Sequence, residues 1–229
     1  MGSNLITILL PVHNDERYLA ICLSSIKNQT YKKFICLVGF NGTIDKSKEV
    51  FRRVVGEDPR FIMIDYGAES GKSKTLNKLL SMVKTKRFCL IDGDDAWHPE
   101  KLRYQVRVKG DPDVVGTLTT YIDEENRTGP SIHVQEKSDD IKKLNLQGMN
   151  QVINSSCLVK TSCLKEIGGW DSEVEGLEDF DVWVKLSLLE KEFYNIQLPL
   201  VYHRIHGGSN FNAKRLKYTP FDIVRRNQK

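Results

Sequence analysis

Leu90-Ile91-Asp92-Gly93-Asp94-Asp95 ends a short apolar run that begins at Arg87 and is followed by Pro99. A run of that length, stopped by glycine and then proline, reads as a central strand of a parallel sheet passing into a loop. Ligands of open α/β sheets bind at such carboxyl ends. Three carboxylates crowded there repel one another, and hard oxygen donors suit Mg²⁺ or Mn²⁺, which keep waters and take further ligands from substrate phosphates. Two readings stand for the cluster: a metal–diphosphate site, or an Asp-rich turn capping the helix near Pro99, since Asp favours turns and N-caps.

Upstream the chain alternates. Leu5 to Leu10 is a β-type run broken by Pro11-Val12-His13-Asn14, and Tyr18, Leu19, Cys22, Leu23 and Ile26 then mark an amphipathic helix. Phe34 to Val38 predicts a second strand, Asn41-Gly42 a turn, Val50 to Val55 part of a helix, and Phe61 to Ile64 a third strand. Leu76, Leu79, Leu80 and Val83 mark the helix that leads into the acidic strand. Such alternation predicts a single-domain α/β fold, a doubly wound, mostly parallel sheet flanked by helices.

Downstream, Val114 to Tyr121 reads as a strand and Asp123 to Asp140 as a polar loop or hairpin able to cover a site. Val152 to Val159 predicts another strand, Thr161 to Ile167 a short helix stopped by Gly168-Gly169, and Phe180 to Leu189 an amphipathic helix. The basic stretch 213–229 reads as a frayed tail or a truncated end.

Composition narrows the class. The 229 residues, 40% hydrophobic, can bury one sizeable core, and a net charge of +4 with 28% charged residues suits anionic small substrates and is too weak for a nucleic-acid partner. Five scattered cysteines fit buried reduced thiols, and the lack of a Cys-x-x-Cys pair argues against structural zinc. Met1-Gly2-Ser3 reads as an initiator with a cloning scar, and no apolar run qualifies as a signal peptide or membrane span, which predicts a soluble, cytoplasmic protein. The basic end could touch anionic lipid or only keep the tail soluble. Gly71-Lys72-Ser73 lacks the earlier glycine of a Walker loop, Tyr66 standing in its place, and no Gly-x-Gly-x-x-Gly follows the first strand. Lys72 and Lys74 are then either anion-facing cations or a solvated helix start.

In order, these motifs resemble the family 2 glycosyltransferases, inverting enzymes of the glycosyltransferase-A fold. Leu9-Leu10-Pro11-Val12-His13-Asn14-Asp15-Glu16 is similar to the family's opening strand and loop, and Ser25 to Tyr31 to the end of its first helix. Asp92-Gly93-Asp94-Asp95 with Trp97 and Pro99 to Leu102 resembles its D-x-D segment. Gly168-Gly169-Trp170-Asp171 and Glu178-Asp179-Phe180-Asp181-Val182-Trp183 resemble the acceptor-side loop and the E-D motif, and Tyr202 to His206 with Ser209 the closing segment. The resemblance covers roughly residues 5 to 210.

It implies a nucleotide-binding half at about 4–110, an acceptor-binding half at about 111–212, and an Mn²⁺ or Mg²⁺ cofactor. Asp94 and Asp95, with His206, are expected at the metal, and Asp92 and Gly93 on the donor. Pro11, His13, Asn14, Glu16 and Lys72 are expected on the donor too. Asp179 is expected to be the base, and Trp170, Glu178 and Trp183 to line the acceptor. Without the resemblance, Glu178 and Asp179 read first as an acidic first helical turn and Trp183 as core, while His206 reads equally as a surface imidazole. The likeness departs after Val38: Gly39-Phe40-Asn41 replaces a pair of acids, one of which contacts the base in the family. Phe40 is expected to stack on the base and Asn41 to hydrogen-bond it. The expected activity is sugar transfer from a nucleotide diphosphate donor, UDP-linked first and GDP-linked second, to a glycan, lipid-linked saccharide or protein hydroxyl. The alternatives are a nucleotidyltransferase and a non-catalytic sugar-nucleotide or glycan binding module.

Overall fold

The computed structural model describes residues 5–69, 71–207 and 216–228. Four parallel strands build the first half: β1 (Ile6–Val12), β2 (Phe34–Phe40), β3 (Phe61–Asp65) and β4 (Arg87–Leu90). Ile6 pairs with Phe34 on one side and Arg87 on the other, and Cys36 with Phe61. Parallel strands require crossovers, supplied by α1 (Leu19–Lys27), α2 (Ser47–Val55) and α3 (Lys72–Met82). All four strands therefore end at one edge.

The second half is mixed rather than parallel. After β5 (Ala96–Trp97) and α4 (Lys101–Gln105) come β6 (Val114–Ile122), β7 (Thr128–Ile132), α5 (Ser138–Asn145), β8 (Leu158–Lys160), α6 (Thr161–Glu166), α7 (Glu178–Leu188) and β9 (Phe193–Arg204). Among the described residues the order is β3-β2-β1-β4-β8-β6-β9-β5, with β7 on β6. β8 runs antiparallel to both β4 and β6, while β6 and β9 are parallel. The polar stretch after β6 is thus a hairpin, with Thr119 opposite Ile132.

Side-chain alternation divides the core. Ile6, Ile8, Leu10 and Val12 of β1 and Phe34, Cys36, Val38 and Phe40 of β2 face the α1–α2 layer, whereas Leu9 and Leu37 face α3, α6 and α7. All five cysteines are buried and free.

Two expectations change. Val152 to Val159 is not one strand: Asn154–Ser156 forms a 3₁₀ turn, held by Ser156 Oγ donating to the Ile153 carbonyl at 2.7 Å, and only Leu158–Lys160 pairs. Local side-chain bonds of Ser and Asn compete with a ladder. The basic end is not frayed where it is described. Pro220–Asn227 forms α8, opened by a Thr219/Asp222 capping box, and buries Ile223 and Val224 against Val174, Leu177, Phe180 and Val184. Lys214 and Arg215, and Ser209 of the closing segment, lie outside the described residues.

Candidate active site

The carboxyl edge of β4 carries the acids. The Asp92 amide donates to Ser155 Oγ (3.1 Å) and Asn154 Nδ2 donates to Asp92 Oδ2 (3.3 Å), so the 3₁₀ turn before β8 fixes the first acid. Trp97 Nε1 donates to the Ser155 carbonyl (2.8 Å) and holds that turn from below.

Asp94 and Asp95 diverge. His206 Nε2 and Asp94 Oδ2 stand 3.0 Å apart, and burial, with Asp95 and Asp92 beside it, pushes Asp94 up to about 6. Asp95 was expected beside Asp94 as a metal ligand and is not free to serve. It is fully buried, the Arg204 amide donates to its Oδ1 at 2.9 Å, and His203 Nδ1 lies 3.1 Å from Oδ1 and 3.2 Å from Oδ2. Burial acts to raise Asp95, but the contacts with His203, Ser155 and the Arg204 amide outweigh it and hold it below the usual carboxylate range. Asp95 in turn pushes His203 up to about 9, an imidazolium at neutral pH.

Beyond Lys72 from this edge, α7 begins with Glu178 and Asp179, acids placed favourably against the helix dipole. Glu178 is buried, accepting from the Gly176 amide at 2.5 Å. Asp179 Oδ1 accepts from the Phe180 amide (2.7 Å), and among the described residues no side chain bonds its Oδ2. Burial first, and Glu178 second, push Asp179 up to about 7, against the pull of Lys72. Lys72, at the start of α3, joins the two sides: its Nζ lies 2.7 Å from Asp92 Oδ1 and 3.4 Å from Glu178 Oε1. Burial would depress the ammonium, but Asp92 and Glu178 outweigh it and raise it above its ordinary value. Asp92 also raises both Asp94 and Asp179, so the two acids share one electrostatic neighbourhood.

The loop after β1 borders the same edge. His13 Nδ1 donates to the Asn41 carbonyl (2.6 Å), joining the ends of β1 and β2, and Pro11 pairs with Gly39. Asn14 and Glu16, expected on the donor, spend side-chain oxygens bracing this loop. Asn14 Oδ1 accepts from the Ile44 amide (2.9 Å) and Glu16 Oε2 from the Lys46 amide (2.9 Å). Asn41 is buried at the strand end. Asp15 was passed over in the sequence, although it stands between two residues that were named. Its Oδ2 accepts from the His13 amide (3.0 Å) and fills the space over Gly93, where a Cβ would come within 2.5 Å. Burial, then Asp94, pushes Asp15 up to about 8.

Three side chains expected to meet ligands pack into the core instead. Phe40 is fully buried with its ring edge-on to Phe51 at 5.8 Å and has no face for a base. Trp170 is 5% exposed, packed on Phe88 at 6.0 Å, and Trp183 is 2% exposed in the same core. Phe40 and Trp183 follow the apolar faces of β2 and α7, and Trp170 packs inward from the loop after α6.

A divalent cation fits this edge in part. Among the described residues no three His, Cys, Asp or Glu side chains stand together as a ready ligand set. Asp94 Oδ2 and His206 Nε2 do converge, and Mg²⁺ or Mn²⁺ bound through one or two side chains completes its shell with phosphate oxygens and water.

The fold and its acid-lined edge are those of a glycosyltransferase. The sequence profile described as glycosyl transferase family 2 matches residues 7–165, more than half of the chain. The chain belongs to glycosyl transferase family 2 and is a glycosyltransferase. It is 25% identical over 220 residues to an uncharacterized glycosyltransferase of Methanocaldococcus jannaschii, covering 93% of this chain and 75% of that protein. With the glycosyltransferase GlyG of Streptococcus pneumoniae it shares 26% over 165 residues, 69% of this chain and 54% of that one. Its fold is similar to that of S. aureus TarS 1–349 in complex with UDP-GlcNAc (TM-score 0.79, 16% identity, 97% of this chain and 64% of that one). It is similar also to the mannosyltransferase PcManGT of Pyrobaculum calidifontis in complex with GDP-Man and Mn²⁺ (TM-score 0.62, 19% identity, 85% and 54%). The chain thus spans less than two thirds of these solved chains. No helix among the described residues is long and apolar enough to cross a membrane.

Proposed function

We propose that this chain is a metal-dependent inverting glycosyltransferase that moves one sugar from a nucleoside diphosphate to a hydroxyl of a glycan, lipid-linked saccharide or protein. The observation that carries the reading is the Lys72 ammonium set between Asp92 and Glu178, with Asp94 to one side and Asp179 to the other. A donor diphosphate lies along the Asp92–Asp94 edge and the acceptor enters over α7. The donor half is the stretch at about 4–110 and the acceptor half that at about 111–212, with α8 packed on α7 beside it.

Asp94 and His206 would hold Mn²⁺ or Mg²⁺, which when bound would stabilise charge on the departing phosphate as a Lewis acid. Asp179 Oδ2 takes the acceptor proton as the hydroxyl oxygen attacks the anomeric carbon; the carbon–oxygen bond to the diphosphate breaks, and that oxygen keeps the electron pair. Attack opposite the leaving group inverts the centre. Lys72 and Glu178 orient this edge, and Lys72 favours the ionised base. UDP-linked donors come first, supported by the likeness to TarS with UDP-GlcNAc, and GDP-linked donors second, by that to PcManGT with GDP-Man.

The test is a panel of UDP- and GDP-sugars incubated with Mn²⁺ and Mg²⁺. Release of the nucleoside diphosphate is expected. Pyrophosphate release from a nucleoside triphosphate would instead mark a nucleotidyltransferase, and binding with no turnover would mark a binding module.

A further inference from the structure

Arg204 ends β9 and is among the bulkiest fully buried side chains of the described residues, 1% exposed. Its Nε donates to the Asp94 carbonyl (2.9 Å), Nη1 to the Asp123 carbonyl (2.5 Å) and Nη2 to Asn126 Oδ1 (2.7 Å). Its guanidinium carbon stands 4.4 Å from the Tyr18 ring centre, and that ring lies 5.0 Å from the His206 imidazole. The bonds run to neutral oxygens in separate directions. A buried charge is costly unless it is hydrogen-bonded or paired, and a cation buried with neutral partners is a heavy investment for packing alone. One group therefore fixes the backbone of Asp94, the turn of the β6–β7 hairpin and the ring against His206.

We infer that Arg204 is a positioning residue for the cation and the diphosphate: it sets the direction in which Asp94 and His206 present their ligand atoms, and it ties the Asp123–Asn126 turn to the loop that carries Asp94. Arg204 reaches no substrate itself. The planar fork matters as well as the charge, because a lysine ammonium cannot span three oxygens set by a guanidinium plane. The inference rests on the glycosyl-transfer reading above.

The test uses the full chain with Arg204→Lys and Asn126→Ala. Mn²⁺ binding is measured by calorimetry with UDP or GDP, whichever the unaltered protein binds, alongside thermal unfolding and hydrogen exchange over residues 123–132. Arg204→Lys is expected to weaken Mn²⁺ binding by about tenfold or more, the scale of losses behind a metal ligand, in protein that still unfolds cooperatively. Asn126→Ala, which keeps every charge, is expected to weaken Mn²⁺ binding less and to speed exchange in the turn. Mn²⁺ affinity unchanged in both variants, or lowered only by the fraction unfolded, would overturn the inference. If Arg204→Lys does not fold, Asn126→Ala decides alone, by the same measure. Failure of the unaltered protein to bind Mn²⁺ with either nucleotide is a separate result, which removes the metal-dependent part of the proposed function and this inference with it.

Discussion

The Lys72 ammonium lies 2.7 Å from the Asp92 carboxylate, so the residue that opens α3 is bonded to the first acid beyond β4. Glu178 approaches the same ammonium from α7, and Asp179 lies within its field. A base whose ionised form is favoured by a neighbouring cation loses that support when the cation goes.

Lys72→Met should therefore shift the acid limb of kcat/KM to higher pH, because Lys72 lowers Asp179 against the burial that raises it. Profiles from about pH 5.5 to 9 check this. A limb that stays in place would show that Lys72 serves the donor alone.

In the unaltered enzyme that limb is expected near pH 7, where Asp179 titrates. Asp179→Asn should cost a factor on the order of 10²–10⁴ in turnover and leave nucleotide affinity nearly unchanged. Turnover that survives the substitution would place the base elsewhere.

Removing divalent metal should stop turnover, and Asp94→Ala should raise the Mn²⁺ concentration needed for nucleotide binding, followed by thermal shift at fixed UDP or GDP. The same Mn²⁺ midpoint in Asp94→Ala would point to another ligand set.

Stability should depend on pH in one direction through the neutral range. Asp15, Asp179 and Asp94 are raised to about 8, 7 and 6, so the folded protein holds protons that the unfolded chain has already released. Their contribution is full below the ordinary carboxylate range and is lost as pH rises through those values. His203, raised to about 9, acts the same way, its stabilisation lost as pH climbs toward 9. Asp111, lowered to about 2, changes only in acid. Without added metal the unfolding temperature should be higher at about pH 5.5 than at about pH 8.5, and Mn²⁺ should narrow the gap. Calorimetry showing the reverse order would mean that these acids are not buried as described.

Ile223→Ala should destabilise by about 2–5 kcal/mol, the usual range for emptying a buried aliphatic site. Ile223 is fully buried against α7, and Asn227 Nδ2 donates to Asp181 Oδ1 at 2.8 Å. A loss well below that range in denaturant unfolding would mean that α8 is not part of the cooperative unit.

Sequence periodicity carried the first half of the fold, because β1, β2 and β4 are buried apolar runs separated by helices of plain amphipathic spacing. Phe40 was misread for its chemistry, although it shares an alternate-residue face with Phe34, Cys36 and Val38, which marked it as core. Asp94 and Asp95 could not be told apart from spacing. Their difference comes from β9, more than a hundred residues on, whose Arg204 amide and His203 imidazole take up Asp95. Arg204 itself stood inside a recognised motif, but nothing local shows that its fork meets a turn near Asn126. The α8 signal was local: Thr219-Pro220 with Asp222 is a helix opening that the many basic residues nearby obscured.

The sealed thiols make the molecule convenient to label. Burial pushes all five cysteines above the ordinary thiol range, so almost none is ionised at neutral pH and each lies out of reach of reagent. A maleimide dye would then find only a cysteine placed on purpose, for instance at the exposed Glu125 in the β6–β7 hairpin, and its fluorescence could report how that arm moves as nucleotide and cation arrive.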